Sequence, residues 1–155
     1  MQLDSIDRRI LTRLQHEGRL TNVELATQIG LSASPCLRRV KQLESSGVIA
    51  GYAARLDRRK LGLDILAFIE VQMERHSNVD AFREAVRAET SVVACYAMTG
   101  AYDFLLSVVT SSLDDFAAFT MQRLLRMPGV KDVRSSFVLE AVKDGSTLPL
   151  DHLTV

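Results

Sequence analysis

Arg38, Arg39 and Lys41 fall within four consecutive residues, with Ser34 and Gln42 at helical spacing around them. Guanidinium and ammonium groups donate to phosphate oxygens, and Arg and Gln also make paired hydrogen bonds to base edges. The chemistry open to this set is recognition of a nucleic-acid duplex. Bond-making chemistry has weaker support. His16, His76 and His152 are scattered, and Cys36 and Cys95 are far apart. No metal-ligand spacing and no catalytic grouping can be read from them.

The stretch 21–49, TNVELATQIGLSASPCLRRVKQLESSGVI, must position those cations. It reads as two short helices joined by a tight turn. Thr21 followed three residues later by Glu24 is the spacing of a capping box. Val23, Ala26 and Ile29 recur at helical spacing, with Leu25 beside them. Gly30 supplies the positive φ the turn needs, and Leu31 plugs it. Ser32 suits the N-cap of the second helix, and Pro35 its first turn. At 100° per residue, Cys36, Val40 and Leu43 share one face, with Leu37 at its edge. Ser34, Arg38, Gln42 and Ser45 lie opposite, flanked by Arg39 and Lys41. A helix that packs on one side and offers cations on the other suits the DNA major groove. The candidate DNA contacts are Thr21, Ser32, Ser34, Pro35, Arg38, Arg39, Lys41 and Gln42.

The charge distribution agrees. The chain has 19 basic and 19 acidic residues. Residues 1–60 hold 11 Lys/Arg against 6 Asp/Glu, and residues 61–155 hold 8 against 13. A basic head of +5 precedes an acidic body of −5. The head suits phosphate contact; the body suits partners or a ligand. An apolar fraction of 47% allows packed cores. No apolar run approaches the roughly 20 residues of a membrane span. The charged, amphipathic start is not a secretory signal, so a cytoplasmic location is expected. Both cysteines read as small buried hydrophobes in a reducing compartment.

An opening helix spans residues 3–16, with Asp4 as cap and Ile6, Ile10, Leu11 and Leu14 on one face. Residues 48–53 read as a strand, the start of a wing or hinge. The expected division is a head over 1–54, a linker over 55–63 and a second domain over 64–155. That domain repeats itself. Ser77-Asn78-Val79-Asp80-Ala81-Phe82 is echoed by Ser111-Ser112-Leu113-Asp114-Asp115-Phe116. Both fit Ser-x-apolar-Asp-x-Phe and read as capped helix starts. Strand patterns cover 65–73, 92–98, 104–109 and 133–142. The order is βαββαβ, a ferredoxin-like arrangement. The expected class is α+β: a winged helix-turn-helix followed by this domain. Strands 65–73 and 104–109 are apolar on both faces, yet the helices can cover only one. A partner sheet, and so a homodimer, is expected, the alternative being that residues of the first domain cover that face.

Three segments carry a resemblance to the Lrp/AsnC, or feast/famine, family of transcriptional regulators. They are residues 3–57, then TGAYDFLL at 99–106, then MPGVKDVRSSFVLEAVK at 127–143. The resemblance implies a winged-helix head that binds double-stranded DNA as a dimer. It implies a ligand-response domain that assembles into dimers and often octamers, as tetramers of dimers. It implies an amino-acid effector bound where dimers meet, with no other cofactor. The loop expected to hold it is Gly100-Ala101-Tyr102-Asp103, with Met98 on the strand entering it and Val133 and Ser135 on the final strand. The family more commonly has Asp where this chain has Ala101.

Asp103 is the obvious partner for an ammonium, and the Gly-containing turn exposes backbone N–H groups for a carboxylate. The same four residues also suit a plain hairpin turn. Two other function classes stay open: an enzyme on the ferredoxin-like half, which lacks a catalytic grouping near Gly100, and an architectural DNA-compacting protein without ligand response.

Overall fold

The computed structural model describes residues 3–75, 78–145 and 147–153, so His76 and Ser77 lie outside it. The chain forms two compact units. One comprises Met1–Arg55 together with Lys143–Val155, and the other is Leu56–Val142.

The first unit holds α1 (Ser5–His16), α2 (Asn22–Ile29) and α3 (Ala33–Ser45). Asp4 caps α1: its carboxylate accepts from the N–H groups of Ile6 and Asp7, each at 2.9 Å. The Asp7 carboxylate accepts in return from the Asp4 N–H at 3.1 Å, completing a capping box. Thr21 and Glu24 do the same for α2. Gly30 closes α2 in the left-handed region at φ 70°, where a side chain would be strained. Ile10, Leu11, Leu25, Ala26, Ile29, Cys36 and Leu43 form the core. Val23 departs from the expected stripe and is 65% exposed.

Two corrections belong to this unit. Residues 48–53 have strand composition but form no ladder among the described residues. A strand needs a neighbour, and the described residues of this unit supply none. Tyr52 instead donates its hydroxyl to Glu44 at 3.0 Å. The second correction concerns the chain's last residues, expected with the second domain. Leu150 and Leu153 pack against the first unit's core. The Leu148 N–H donates to Gln15 Oε1 at 2.5 Å, and Gln15 Nε2 donates back to the Leu148 carbonyl at 3.3 Å.

The second unit contains β1 (Ile65–Met73), α4 (Val79–Ala88), β2 (Val92–Ala97), β3 (Phe104–Thr110), α5 (Leu113–Ala118) and β4 (Val130–Phe137). All pairings are antiparallel and the spatial order is β2-β3-β1-β4. The repeated motif places its caps at Asn78 and Ser112, whose side chains accept from the N–H groups of Ala81 and Asp115. β4 runs over 130–137 rather than 133–142. It ends where its partner does: Val138 N–H makes a bond to Leu66 O near the start of β1. Past α5 the helix widens into a π turn over Phe119–Arg123. That turn lets Phe119 and Leu124, five residues apart, both reach full burial.

Side chains of Ala67, Ile69 and Val71 on β1 and of Phe104, Leu106 and Val108 on β3 point into the core with Phe82, Phe116 and Phe119. Leu66, Phe68, Glu70 and Gln72 alternate with them and point the other way. Among the described residues no element of this unit covers that second face. Cys95 corrects another expectation: it is exposed, because β2 is the edge of the sheet.

Candidate functional site

The exposed side of α3 is assembled by its neighbours. Leu25, Ala26 and Ile29 of α2 and Cys36 and Leu43 of α3 are all buried. That pins one face of α3 and turns the opposite face outward. Asn22, which the sequence reading did not select, fixes the angle between the two helices. Its Nδ2 donates to the Ala33 carbonyl at 2.8 Å. Ser34, Arg38, Lys41 and Gln42 are exposed, as is Ser32 at the N-cap, which makes no side-chain cap bond. Pro35 is half-buried in the first turn. Leu37 is 42% exposed beside Ser34, Arg38 and Lys41. It brings an apolar surface of the kind that meets a thymine methyl. Thr21 sits at the α2 cap, where its hydroxyl donates to Glu24 at 2.7 Å.

Arg39 is placed differently from Arg38. Its guanidinium pairs with Asp4 at 2.8 Å and with Asp7 at 2.9 Å. Asp7 is only 6% exposed. A carboxylate so buried requires a cation, and Arg39 supplies it. The Asp7 N–H bond and the Arg39 guanidinium hold the Asp4 carboxyl below its usual range, and the two acids push Arg39 higher still. The group thus ties α1 to α3 and is engaged inside the head. The sequence signals only that Asp7 needs a partner, not that Arg39 is that partner. Asp7 stands at the centre of the stripe that continues through Ile10, Leu11 and Leu14, where an acid calls for a partner.

The second set of candidates gathers at one end of the sheet. Gly100, at φ 119°, lies in the turn between β2 and β3. Met98 N–H donates to the Asp103 carbonyl at 2.9 Å and closes the turn around Ala101 and Tyr102. Asp103 N–H donates to the Val71 carbonyl at 2.9 Å. One carboxylate oxygen of Asp103 accepts from Met73 N–H at 2.7 Å. One oxygen of this acid, Oδ2, therefore joins the turn to β1. Val133 lies opposite Val71 and Ser135 opposite Ile69. The turn and β4 thus flank the same strand. Val133 and Ser135 share the face of the buried Val71 and Ile69. A cavity of about 400 Å³ lies between α4 and β2, lined by Arg83, Val86, Arg87, Val93, Cys95 and Phe104 among others.

The uncovered sheet face is the third feature. Phe68 is 40% and Tyr96 57% exposed. Leu66, Leu105 and Val109 are half-buried beside them. Among the described residues there is no group of three or more potential metal ligands and no helix long and apolar enough to cross a membrane.

Comparison with known proteins covers both units. The description "Winged helix-turn-helix DNA-binding" matches residues 3–50, and "Lrp/AsnC ligand binding domain" matches residues 66–148. A leucine-responsive regulatory protein of Rhizobium meliloti is 42% identical over 93% of this chain and 94% of its own length. The one of Escherichia coli K12 is 38% identical over 94% of the chain and 90% of its length. The crystal structure of a Neisseria meningitidis transcriptional regulator in complex with L-Met superimposes with a TM-score of 0.95 at 43% identity, covering 97% of this chain and 99% of that one. A feast or famine regulatory protein of M. tuberculosis complexed with L-methionine gives 0.84 at 32% identity, covering 92% and 95%.

Proposed function

The chain belongs to the Lrp/AsnC family of transcriptional regulators, and on that premise we propose that α3 reads DNA while the 98–103 turn takes part in sensing an amino acid. It is a regulator, not an enzyme. The observation that carries the reading is the exposed face of α3, where Ser34, Arg38, Lys41 and Gln42 stand free of the head's core. Arg38 and Gln42 are the base-reading candidates, and Lys41 a phosphate contact. Thr21, Ser32 and Pro35 border the groove-facing surface. Arg39 supports it from behind.

The effector is an amino acid, and the relatives solved with L-Met make methionine the first to test. Its ammonium faces Asp103 Oδ1, its carboxylate takes N–H groups of the turn at Gly100, Ala101 and Tyr102, and Met98, Val133 and Ser135 lie near its side chain. The apolar sheet face joins two copies, so paired heads read half-sites about 34 Å or a multiple apart. Four such dimers form the octamer, with the effector held between them. The protein works in the cytoplasm on genes of amino-acid metabolism.

The test is a thermal-shift screen of the twenty amino acids, followed by DNA titration with and without each hit. A ligand of the folded state raises the melting temperature by mass action. The expected result is stabilisation by one or a few amino acids and an altered affinity for a specific operator. An architectural, DNA-compacting role is the outcome if no amino acid binds at millimolar concentration and random DNA binds as well as any promoter.

A further inference from the structure

The cavity of about 400 Å³ between α4 and β2 shares no residue with the α3 surface or with the seven effector candidates. A bulge in β2 shapes it. Val92 is opposite Val108 and Cys95 opposite Leu106, and both partners are buried in the core. In a regular strand, residues three apart point to opposite faces. The register shift between Val92 and Ala94 turns Val92, Cys95 and, two residues on, Ala97 to the helix side of the sheet. Val86 and Phe104, both buried, form the floor. Arg83 and Arg87, about one turn apart on α4, are the exposed cations of the lining. Burial raises the Cys95 thiol pKa and the Arg83 charge lowers it, so this cation is felt inside the cavity.

We propose that this cavity binds a small carboxylate with an apolar chain and no ammonium group, the class that includes the branched 2-oxo acids. A volume of this size, with apolar walls and a few polar groups, is that of a small-molecule site. The ligand's carboxylate meets Arg83 and Arg87, and its chain lies on Val86, Val93 and Phe104. Arg83 pairs with Asp80 and Arg87 with Glu84, but both acids are exposed and each takes a single Nη1. A guanidinium has five N–H donors, so most remain for a ligand, and its planar fork fits a carboxylate. Charge sets the class. Among the described residues no carboxylate lines the cavity. The ammonium of an amino acid would stand beside two cations with no acid to take it. The 98–103 turn, with Asp103, offers the opposite charge. The two places then sort the aminated and deaminated forms of one carbon skeleton.

The experiment uses the full chain and the pair 4-methyl-2-oxopentanoate and leucine, which differ at one carbon. Cys95 is the reporter. It lines the cavity and is exposed, whereas Cys36 is buried, so iodoacetamide labels Cys95 first. Intact-mass spectrometry follows the labelling. Millimolar 4-methyl-2-oxopentanoate should slow it saturably. 4-Methylpentanoate, which keeps the carboxylate, should protect as well. Leucine and the neutral 4-methyl-1-pentanol should not. Arg83→Gln and Arg87→Gln should each raise the half-protecting concentration about tenfold, the loss of one charge-assisted hydrogen bond. Asp103→Ala should leave the protection intact. Calorimetry on Cys95→Ser should return the parent affinity, because the thiol reports the ligand without holding it. No protection by the oxo acid at millimolar concentration overturns the proposal. Equal protection by the alcohol does so too, because the cations would then be idle. Protection by leucine as strong as by the oxo acid, or protection lost in Asp103→Ala, would move the effect to the turn and overturn it. Arginine variants that are protected like the parent overturn it as well.

Discussion

The head and the body close their cores by different means. Among the described residues the head buries seven apolar side chains on three short helices, none of them aromatic. It adds an Asp4–Arg39–Asp7 ion group and borrows Leu150 and Leu153 from the far end of the chain. The body buries twelve, including Phe82, Phe104, Phe116 and Phe119, and still leaves Phe68 and Tyr96 outside on a bare sheet face. A small domain buries too little surface to be stable on helices alone, so polar ties and a borrowed segment complete it. A sheet with helices on one side has apolar surface to spare, and a second copy can use it. The DNA-reading unit is thus closed on itself, and the assembling unit is open.

This contrast can be broken most severely in the body. Phe82 is fully buried and lies against Phe104 with ring centroids 4.9 Å apart. Phe82→Ala should cost about 3–5 kcal/mol, seen as a lower denaturant midpoint for residues 56–142. In the head, Arg39→Ala strands the buried Asp7 carboxylate. It should cost about 2–3 kcal/mol of head stability, with DNA affinity falling only as the head loosens. The neighbouring residue gives the opposite pattern. Arg38→Ala should weaken operator binding by about 1–3 kcal/mol while shifting stability by less than about 0.5 kcal/mol. Parallel melting curves and gel-shift titrations separate the two arginines. If Arg38 and Arg39 behave alike, the division between reader and brace is wrong.

The smallest effect is on pH. The Asp7 N–H and the Arg39 guanidinium hold Asp4 below its ordinary value of 3.8. The stability this gives is fully present above that value and is lost as pH falls through the lower, folded-state value. The Thr21 hydroxyl and N–H act on Glu24 in the same direction. Head melting should therefore be insensitive to pH from 7 to about 5 and decline below about 4. Asp4→Asn should flatten that decline. A head whose melting temperature is already falling at pH 6 would contradict this origin.

The local features were legible in the sequence. The cap at Asp4, the capping box at Thr21, the turn at Gly30 and the helix starts at Asn78 and Ser112 each depend on residues a few positions apart, and all appear where their chemistry requires. The α+β class and the βαββαβ order were read from the strand patterns around these helix starts, and the Lrp/AsnC resemblance from residues 3–57, 99–106 and 127–143. Features that depend on distant contacts were not legible. Arg39 on a helical wheel looks as available as Lys41, and only Asp4 and Asp7, more than thirty residues away, decide otherwise. Residues 48–53 have strand chemistry, but composition does not supply a neighbour. The turn at Gly100 was read as a ligand loop, and Asp103 proves to be tied to β1 as well, through Met73 N–H. The five-residue step from Phe119 to Leu124 has no signature at ordinary helical spacing.

The tail at Leu148, Leu150 and Leu153 gives the chain an order of manufacture. Because these residues complete the head, the DNA-reading unit is built from both sides of an insertion, residues 56–142. A ribosome makes α1, α2 and α3 first, yet their last apolar neighbours follow only after the whole sheet has been translated. A product broken off within the body carries Arg38 and Lys41 but not the segment that braces Gln15. The head reaches full stability only in molecules whose sheet-bearing half has already been synthesised.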